Sequence, residues 1–314
     1  MRFKDYLDEA LITFNKKAYP RFGNIVILAG GAASGKGFVT DKLLGINGKV
    51  FDVDELKYYR AKFGDWLGLL VKELYDLYKD NIIDRSYTKR QLMKMRSDEK
   101  LLKDENIVRA SHNIIKRLGL DRKTKDVFMY SASMQAPEKK PNIIFDVTLR
   151  SFDKLIRLSE QVLSLGYNKQ NIHIVWVVND IEVAKQQNRE RPRVVPEDIL
   201  ISTHKGAATT LMRDIIGDAK TLKKYMDGDI YITFNKIGYD ADVSISNTGN
   251  VVIDEANYVQ IKKAGSAVDP SLITKKVENR IKSYIPKDTF RGDILDPDRE
   301  IKGSVKGKVK DYSK

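Results

Sequence analysis

The run Asn24-Ile25-Val26-Ile27-Leu28-Ala29 leads without a single charge into Gly30-Gly31-Ala32-Ala33-Ser34-Gly35-Lys36-Gly37, and this junction constrains the fold more than any other part of the 314-residue chain. A short, continuous apolar run closed by glycines is the pattern of a strand buried on both faces, as in a parallel sheet. From Gly35 the sequence becomes Gly-Lys-Gly-Phe-Val-Thr-Asp-Lys-Leu-Leu-Gly, a short helix that Gly45 closes. Lys49 to Asp54 then reads as a second short strand. Strand, glycine-rich turn, helix and strand form the opening of a β-α-β unit.

The rest of the chain extends this pattern. Leu56, Tyr59, Phe63, Trp66, Leu70, Leu74, Leu77 and Tyr78 recur every three or four residues, which predicts a long amphipathic helix over 55–80. A second helical stretch is expected over 99–118, and the polar interval 122–141 reads as a loop or irregular insertion. Asn142 to Phe145 is another apolar run, followed by a helical pattern over 152–165 that Gly166 stops. Ile172 to Val178 supplies a central strand. Strands separated by helices predict an α/β fold, a mostly parallel sheet flanked by helices on both faces.

After Gly217 the pattern changes. Segments 229–234, 240–246 and 250–253 look like short strands, the last two joined by the turn Asn247-Thr248-Gly249, and they predict a small antiparallel β appendage. From Ala264 onward glycine, proline and lysine increase, and 302–314 is almost devoid of apolar residues. The expected organisation is an N-terminal segment 1–20, a main domain 21–218, an appendage 219–263 and a basic, partly disordered tail 264–314.

Composition excludes some chemistries. The chain has no cysteine, so disulfides and thiolate chemistry are ruled out, and a reducing cytoplasm suits it. The longest apolar run is far short of the ~20 residues that span a bilayer, so no membrane association is expected. The net charge of +13 favours polyanionic partners, nucleic acid among them. A plain solvated basic surface accounts for it equally well.

Gly30 to Gly37 fits G-x-x-x-x-G-K, with the strand before and the helix after that such a loop needs. Glycines let successive backbone N–H groups turn inward around a phosphate, the helix N-terminus adds partial positive charge, and Lys36 can reach the β- and γ-phosphates of ATP. The position after the lysine, where a hydroxyl usually ligates Mg²⁺, is Gly37. Metal binding then falls to phosphate oxygens, water and a carboxylate, or to Ser34 or Thr40. Asp52 and Asp54 close the second strand at the sheet's carboxyl edge, where ligands bind in open α/β folds. One can contact Mg²⁺ and the other can accept a proton from an attacking hydroxyl. Asp54 also suits a helix N-cap. Asp146, Thr148 and Arg150 follow the third strand to the same edge and either bind an acceptor or cap the next helix. Arg189, Arg191 and Arg193 stand at alternate positions just after the helix that follows the Ile172 strand. They fit either a lid that neutralises phosphoryl charge or a solvated helix end. His112 and His204 lie within helical patterns and read as structural.

Four segments in this order resemble zeta toxins and their P-loop kinase relatives: the loop Gly30–Gly37, Asp52-Val53-Asp54, Asp146-Val147-Thr148-Leu149-Arg150, and Pro192-Arg193-Val194-Val195-Pro196. The resemblance covers about residues 24–216. It implies a P-loop NTPase-like fold and a kinase that moves the γ-phosphate of ATP, with Mg²⁺, to a hydroxyl. The acceptor would be a nucleotide-sugar, a nucleotide or a nucleic acid. Asp54 matches the family's general base, Lys36 its phosphate-binding lysine and Arg193 its lid arginine, with Arg189 a second. Gly37, Pro192 and the long insertion before the third strand depart from the pattern. The other expectation is a nucleotide-binding protein without catalysis. Separately, the start of the chain, with Leu7-Asp8-Glu9-Ala10, resembles the capsid-targeting peptides of internal head proteins of large tailed bacteriophages. That likeness implies packaging in a virion. The other reading of 1–20 is a helix packed on the domain through Phe3, Tyr6, Leu7, Ala10, Leu11 and Phe14.

Overall fold

A computed structural model of the chain describes residues 12–17, 20–44, 46–51, 65–95, 101–235, 243–245, 251–253, 258–273 and 275–285. The Leu7–Ala10 motif, Asp52, Asp54, the Asn247–Gly249 turn and the lysine-rich stretch 302–314 lie outside these residues.

The centre is a six-stranded sheet built from β1 (Ile25–Gly30), β2 (Lys49–Phe51), β3 (Ile143–Val147), β4 (Ile172–Asn179), β5 (Ile230–Asn235) and, after an intervening hairpin, the edge strand Tyr258–Lys262. Their order is β2-β3-β1-β4-β5 and then the edge strand, with all neighbours parallel except the last pair. β1 sits between β3 and β4, and every residue of β1 and β4 is buried, as their unbroken apolar runs require. Alternate residues serve opposite faces. Ile25, Ile27, Ile143, Phe145, Ile174, Trp176 and Ile232 join one core, whereas Val26, Leu28, Ile144, Val175, Val177 and Tyr231 join the other.

The helices follow from the sequence between strands. α1 (Lys36–Phe38) opens directly from the glycine loop and widens into a π-type turn over Val39–Leu43. Between β2 and β3 come α2 (Trp66–Lys79), α3 (Lys89–Lys94), α4 (Glu105–Arg117) and α5 (Leu120–Ser133). Trp66, Leu70, Leu74, Leu77, Leu92, Ile107 and Ile114 give this insertion a core of its own. Asp65, Thr88 and Asp104 cap α2, α3 and α4 through their side chains. α6 (Phe152–Ser164) links β3 to β4, and α7 (Ile181–Glu190), α8 (Glu197–Thr209, widening over Thr210–Ile216) and α9 (Ala219–Tyr225) link β4 to β5. No helix among the described residues is long and apolar enough to cross a membrane.

Three expectations need correction. The interval 122–141, read as a loop, is mostly the helix α5, because it has no glycine or proline before Pro137 and places Met129 and Ala132 in buried positions. The segment 229–234, assigned to an antiparallel appendage within 219–263, is β5, parallel to β4 and buried through Phe234. Among the described residues, β6 (Val243–Ile245) and β7 (Val251–Ile253) form a separate antiparallel pair, while β8 (Tyr258–Lys262) completes the main sheet. Within the stretch from 264, α10 (Lys275–Tyr284) buries Ile281, with Tyr284 and Ile285 against the core, and Tyr284 meets Phe234 with ring centroids 6.1 Å apart. Finally, Phe14 is not on a helix face. Asn15 and Lys16 have φ of 52° and 61°, which a right-handed helix forbids, and Ile12 bridges Leu44 while the Phe14 ring packs at a tilt against His173. The Asn15 N–H donates to Asp229 Oδ2 at 2.8 Å and its side-chain amide to Asn171 Oδ1 at 2.8 Å, which offsets the strain.

Candidate phosphate-binding cleft

The loop leaves β1 in a conformation that its small residues permit. Gly30 has φ of 152°, and a Cβ there would fall 2.6 Å from Val177 O and 2.8 Å from Ser34 Oγ. Gly35, at φ 87°, turns the chain into α1. Ala33 adopts φ 56° without being glycine, a strained conformation that a functional loop can hold when its surroundings fix it. Its carbonyl faces the buried Asn179 at the end of β4, with Nδ2 at 3.5 Å.

Lys36 folds back along this loop. Its Nζ donates to Gly30 O at 3.2 Å and Gly31 O at 3.0 Å and stands 3.5 Å from Asp146 Oδ1. Asp146 is there because β3 is the parallel neighbour of β1, with Leu28 level with Asp146. The side chain of Lys36 is 11% exposed and that of Asp146 26%, so both remain within reach of a ligand.

A cleft of about 450 Å³ opens over them. Its walls are the loop from Ala33 to Phe38, Asp146, and Gln187, Glu190 and Arg191 from the end of α7. Thus Ala33, Ser34, Gly35, Lys36 and Gly37 line the cleft, while Gly30, Gly31 and Ala32 lie behind it. Of the three residues named after β3, only Asp146 faces the cleft. Leu149 is buried at φ 47° and turns the chain. Arg150 beyond it is exposed and packs on α8, where a Cβ on Gly206 would fall 3.1 Å from its own Cβ. Thr148 is half-buried and does not line the cleft.

The arginines divide differently from the expectation. Arg191 lines the cleft, Arg189 is exposed at the end of α7, and Arg193 is 5% exposed. Gln187 and Glu190, three residues apart, share one face of α7, and Arg191 follows them as its C-cap. Sequence reasoning missed Gln187 and Glu190, although this helical spacing was the available signal. The segment carrying the arginines is tied to the insertion: Val194 N–H donates to Leu102 O at 2.9 Å, Lys103 Nζ to Arg189 O at 2.7 Å, and Arg109 to Asp198 Oδ1 at 2.7 Å.

Behind the loop, α8 presents Thr203 and His204. Ala32 N–H donates to Thr203 Oγ1 at 3.0 Å, and His204 Nε2 lies 2.9 Å from Ala32 O. Burial depresses the His204 pKa to about 4, with the Lys36 charge acting in the same direction. The ring is therefore neutral near pH 7, and since a carbonyl can only accept, Nε2 carries the proton.

As to magnesium, the cleft walls carry two carboxylates, Asp146 and Glu190, and no hydroxyl at position 37. A Cβ on Gly37 would meet nothing within 4 Å. Thr40 Oγ1 donates to Lys36 O at 3.0 Å, bonded into its own helix. Among the described residues no group of three potential metal ligands occurs. The residues present fit a cation held largely by phosphate oxygens and water, with the carboxylates of Asp146 and Glu190 on the cleft walls.

No family model matches the chain, and no curated protein matches it. Among solved structures it is similar to the AvrRxo1-ORF1:AvrRxo1-ORF2 complex with sulphate ions, at 12% identity and a TM-score of 0.38 over 83% of this chain and 64% of that one. The same complex with ATP gives 12% identity and a TM-score of 0.39 over 87% and 67%. A structure from the PezAT toxin–antitoxin system of Streptococcus pneumoniae gives 13% and 0.39 over 85% and 90%. The chain thus spans about two thirds of the AvrRxo1-ORF1:AvrRxo1-ORF2 chains it matches. Likeness at this level says nothing about chemistry.

Proposed function

We propose that the chain is an ATP-dependent phosphotransferase of the P-loop kinase type. The observation that carries this reading is the cleft itself. A G-x-x-x-x-G-K loop with backbone N–H groups at a helix start, the Lys36 ammonium, the Asp146 carboxylate and the Arg191 guanidinium border one space at the carboxyl edge of the sheet.

In this reading the amides from Ser34 to Gly37 and Lys36 bind the β- and γ-phosphates. Arg191 faces the transferring group from the opposite wall and offsets charge that builds there. Arg189 and Arg193 belong to the same segment; the buried Arg193 anchors it, and Arg189 offers its carbonyl to Lys103. Asp54, outside the described residues, is the proposed base that takes the proton of the acceptor hydroxyl, as its counterpart does in the zeta toxins the motifs resemble. Mg²⁺, when bound, would neutralise phosphate charge, with Asp146 and Asp52 as the candidate carboxylates. Positioning and electrostatics supply most of the acceleration in such a transfer. Thr148 and Arg150 stay as candidates for acceptor contact near the insertion. The acceptor is a hydroxyl of a nucleotide-sugar, nucleotide or nucleic acid.

Gly37 favours a second reading, a nucleotide-binding protein without catalysis. Incubation of the wild type, Lys36→Ala and Asp54→Asn with γ-labelled ATP, Mg²⁺ and a panel of nucleotide-sugars, nucleosides, RNA and DNA separates the two. The kinase reading expects label transfer by the wild type alone. ATP binding with no transfer to any hydroxyl supports the second.

A further inference from the structure

We propose that His204 and Thr203 form a positioning clamp on the backbone of Ala32 that holds the phosphate-binding loop in its binding shape. The inference rests on the reading of that loop as a phosphate site and gives a role to His204, which the sequence marked as structural.

One turn of α8 satisfies both polar groups that flank the Ala32 side chain. Thr203 Oγ1 donates its own proton to Leu200 O at 2.7 Å, so the hydroxyl rotor is fixed and a lone pair faces outward. That lone pair accepts the Ala32 N–H. One residue on, the protonated Nε2 of His204 donates to Ala32 O. Both α8 residues are buried, with 4% and 3% exposure, which shields the two bonds from much of the competition with water. Gly31 seals the arrangement, because a Cβ there would lie 2.1 Å from His204 Cδ2, 2.3 Å from Cγ and 2.4 Å from Nε2. The imidazole occupies the space a side chain at 31 would need.

The consequence is directional. With both groups of Ala32 engaged behind the loop, the backbone from Ala33 onward is left to face the cleft, which is where the lining residues begin. Without the clamp the Ala32 peptide is free to rotate, the strained φ of Ala33 relaxes, and the amides lose their common aim. Fixing them beforehand removes an ordering cost from phosphate binding. Gly31 O is also an acceptor for Lys36 Nζ, so the clamp sets the starting position of that ammonium.

The test compares the wild type with His204→Ala, His204→Gln and Thr203→Val. ATP and inorganic pyrophosphate are titrated into each by calorimetry, alongside thermal melting without ligand. The expectation is that His204→Ala weakens both ligands about tenfold, the scale of one well-buried hydrogen bond. Thr203→Val weakens them several-fold, and His204→Gln, whose amide can reach Ala32 O, regains most of the loss. Rescue by glutamine is the readout that a packing role alone does not produce. Should His204→Ala fail to fold, Thr203→Val and His204→Gln still decide the matter through their affinities. Folded Thr203→Val and His204→Ala binding as the wild type does would overturn the clamp while leaving the phosphate site standing. A wild type that binds neither ATP nor pyrophosphate would remove the site and the clamp with it.

Discussion

The Lys36 ammonium stands 3.5 Å from Asp146 Oδ1, at the point where the loop after β1 and the end of β3 meet. Parallel pairing of the two strands puts them there, since it brings both carboxyl ends to one edge of the sheet. Lys36 also has two loop carbonyls as acceptors, which keeps the ammonium at the cleft wall.

Asp146→Asn removes the charge but keeps the shape. It should leave ATP affinity without Mg²⁺ within about threefold and reduce the gain that Mg²⁺ adds about tenfold, on the scale of one charge-assisted contact. Titration of ATP with and without Mg²⁺ checks it; an unchanged Mg²⁺ effect would place metal binding elsewhere, with Asp52.

Gly37 stands where a hydroxyl is expected, and its side-chain space is open. Gly37→Ser should therefore fold normally and raise thermal stability slightly, since glycine in a helix interior is unfavourable by roughly 0.5–1 kcal/mol. It should also tighten ATP binding in Mg²⁺ while leaving Mg²⁺-free binding unchanged. Equal effects with and without the metal would show that the hydroxyl gains no metal contact.

Of the arginines, Arg191 faces the cleft. Arg191→Ala should lower kcat by roughly 10²-fold or more, in keeping with loss of a charge on the transferring group. Arg189→Ala should change it by less than about threefold, because Lys103 bonds to the Arg189 carbonyl and not to its side chain. Steady-state kinetics of the two variants, once an acceptor is in hand, test the assignment, and the reverse order would restore Arg189 to the site.

Acid should weaken the fold through its histidines. The His204 pKa is about 4 in the folded chain against 6.5 as the ordinary value, mainly from burial, and that of His173 is lowered by burial as well. Below pH 6.5 the unfolded chain takes up protons that the folded chain refuses, so stability falls as pH drops from 6.5 towards 4 and this contribution levels off below. For His204 the full effect is on the order of 3 kcal/mol. Asp229, whose pKa is depressed by the partners around it, extends the loss to lower pH. Urea unfolding between pH 7.5 and 4.5 measures the slope, and His204→Gln should flatten it; an unaltered slope would contradict the assignment.

Much of the site was legible because its chemistry is local in sequence. The buried run before Gly30 and the glycine spacing determine strand, loop and helix together, and Asp146 follows from β3 being parallel to β1. The three arginines, read together as a lid or a solvated helix end, part company because α7 ends at Glu190, so that Arg191 lines the cleft while Arg193 is buried. His204 and Thr203 lie 172 and 171 residues from Ala32, and no local pattern announces a contact of that range. The sequence groups β5 with the short strands that follow it, but it pairs parallel with β4, and even Thr233 is buried with its hydroxyl on Trp176 O at 3.2 Å. α5 hid its helix behind charges, with few residues on its buried side.

The most direct test of the central claim is calorimetric titration of ATP into the wild type and Lys36→Met, in the presence of Mg²⁺. Binding by the wild type, weakened about tenfold or more in Lys36→Met by loss of a charge-assisted phosphate contact, is the predicted result. Equal affinity in the two proteins, or no binding by the wild type, would contradict it.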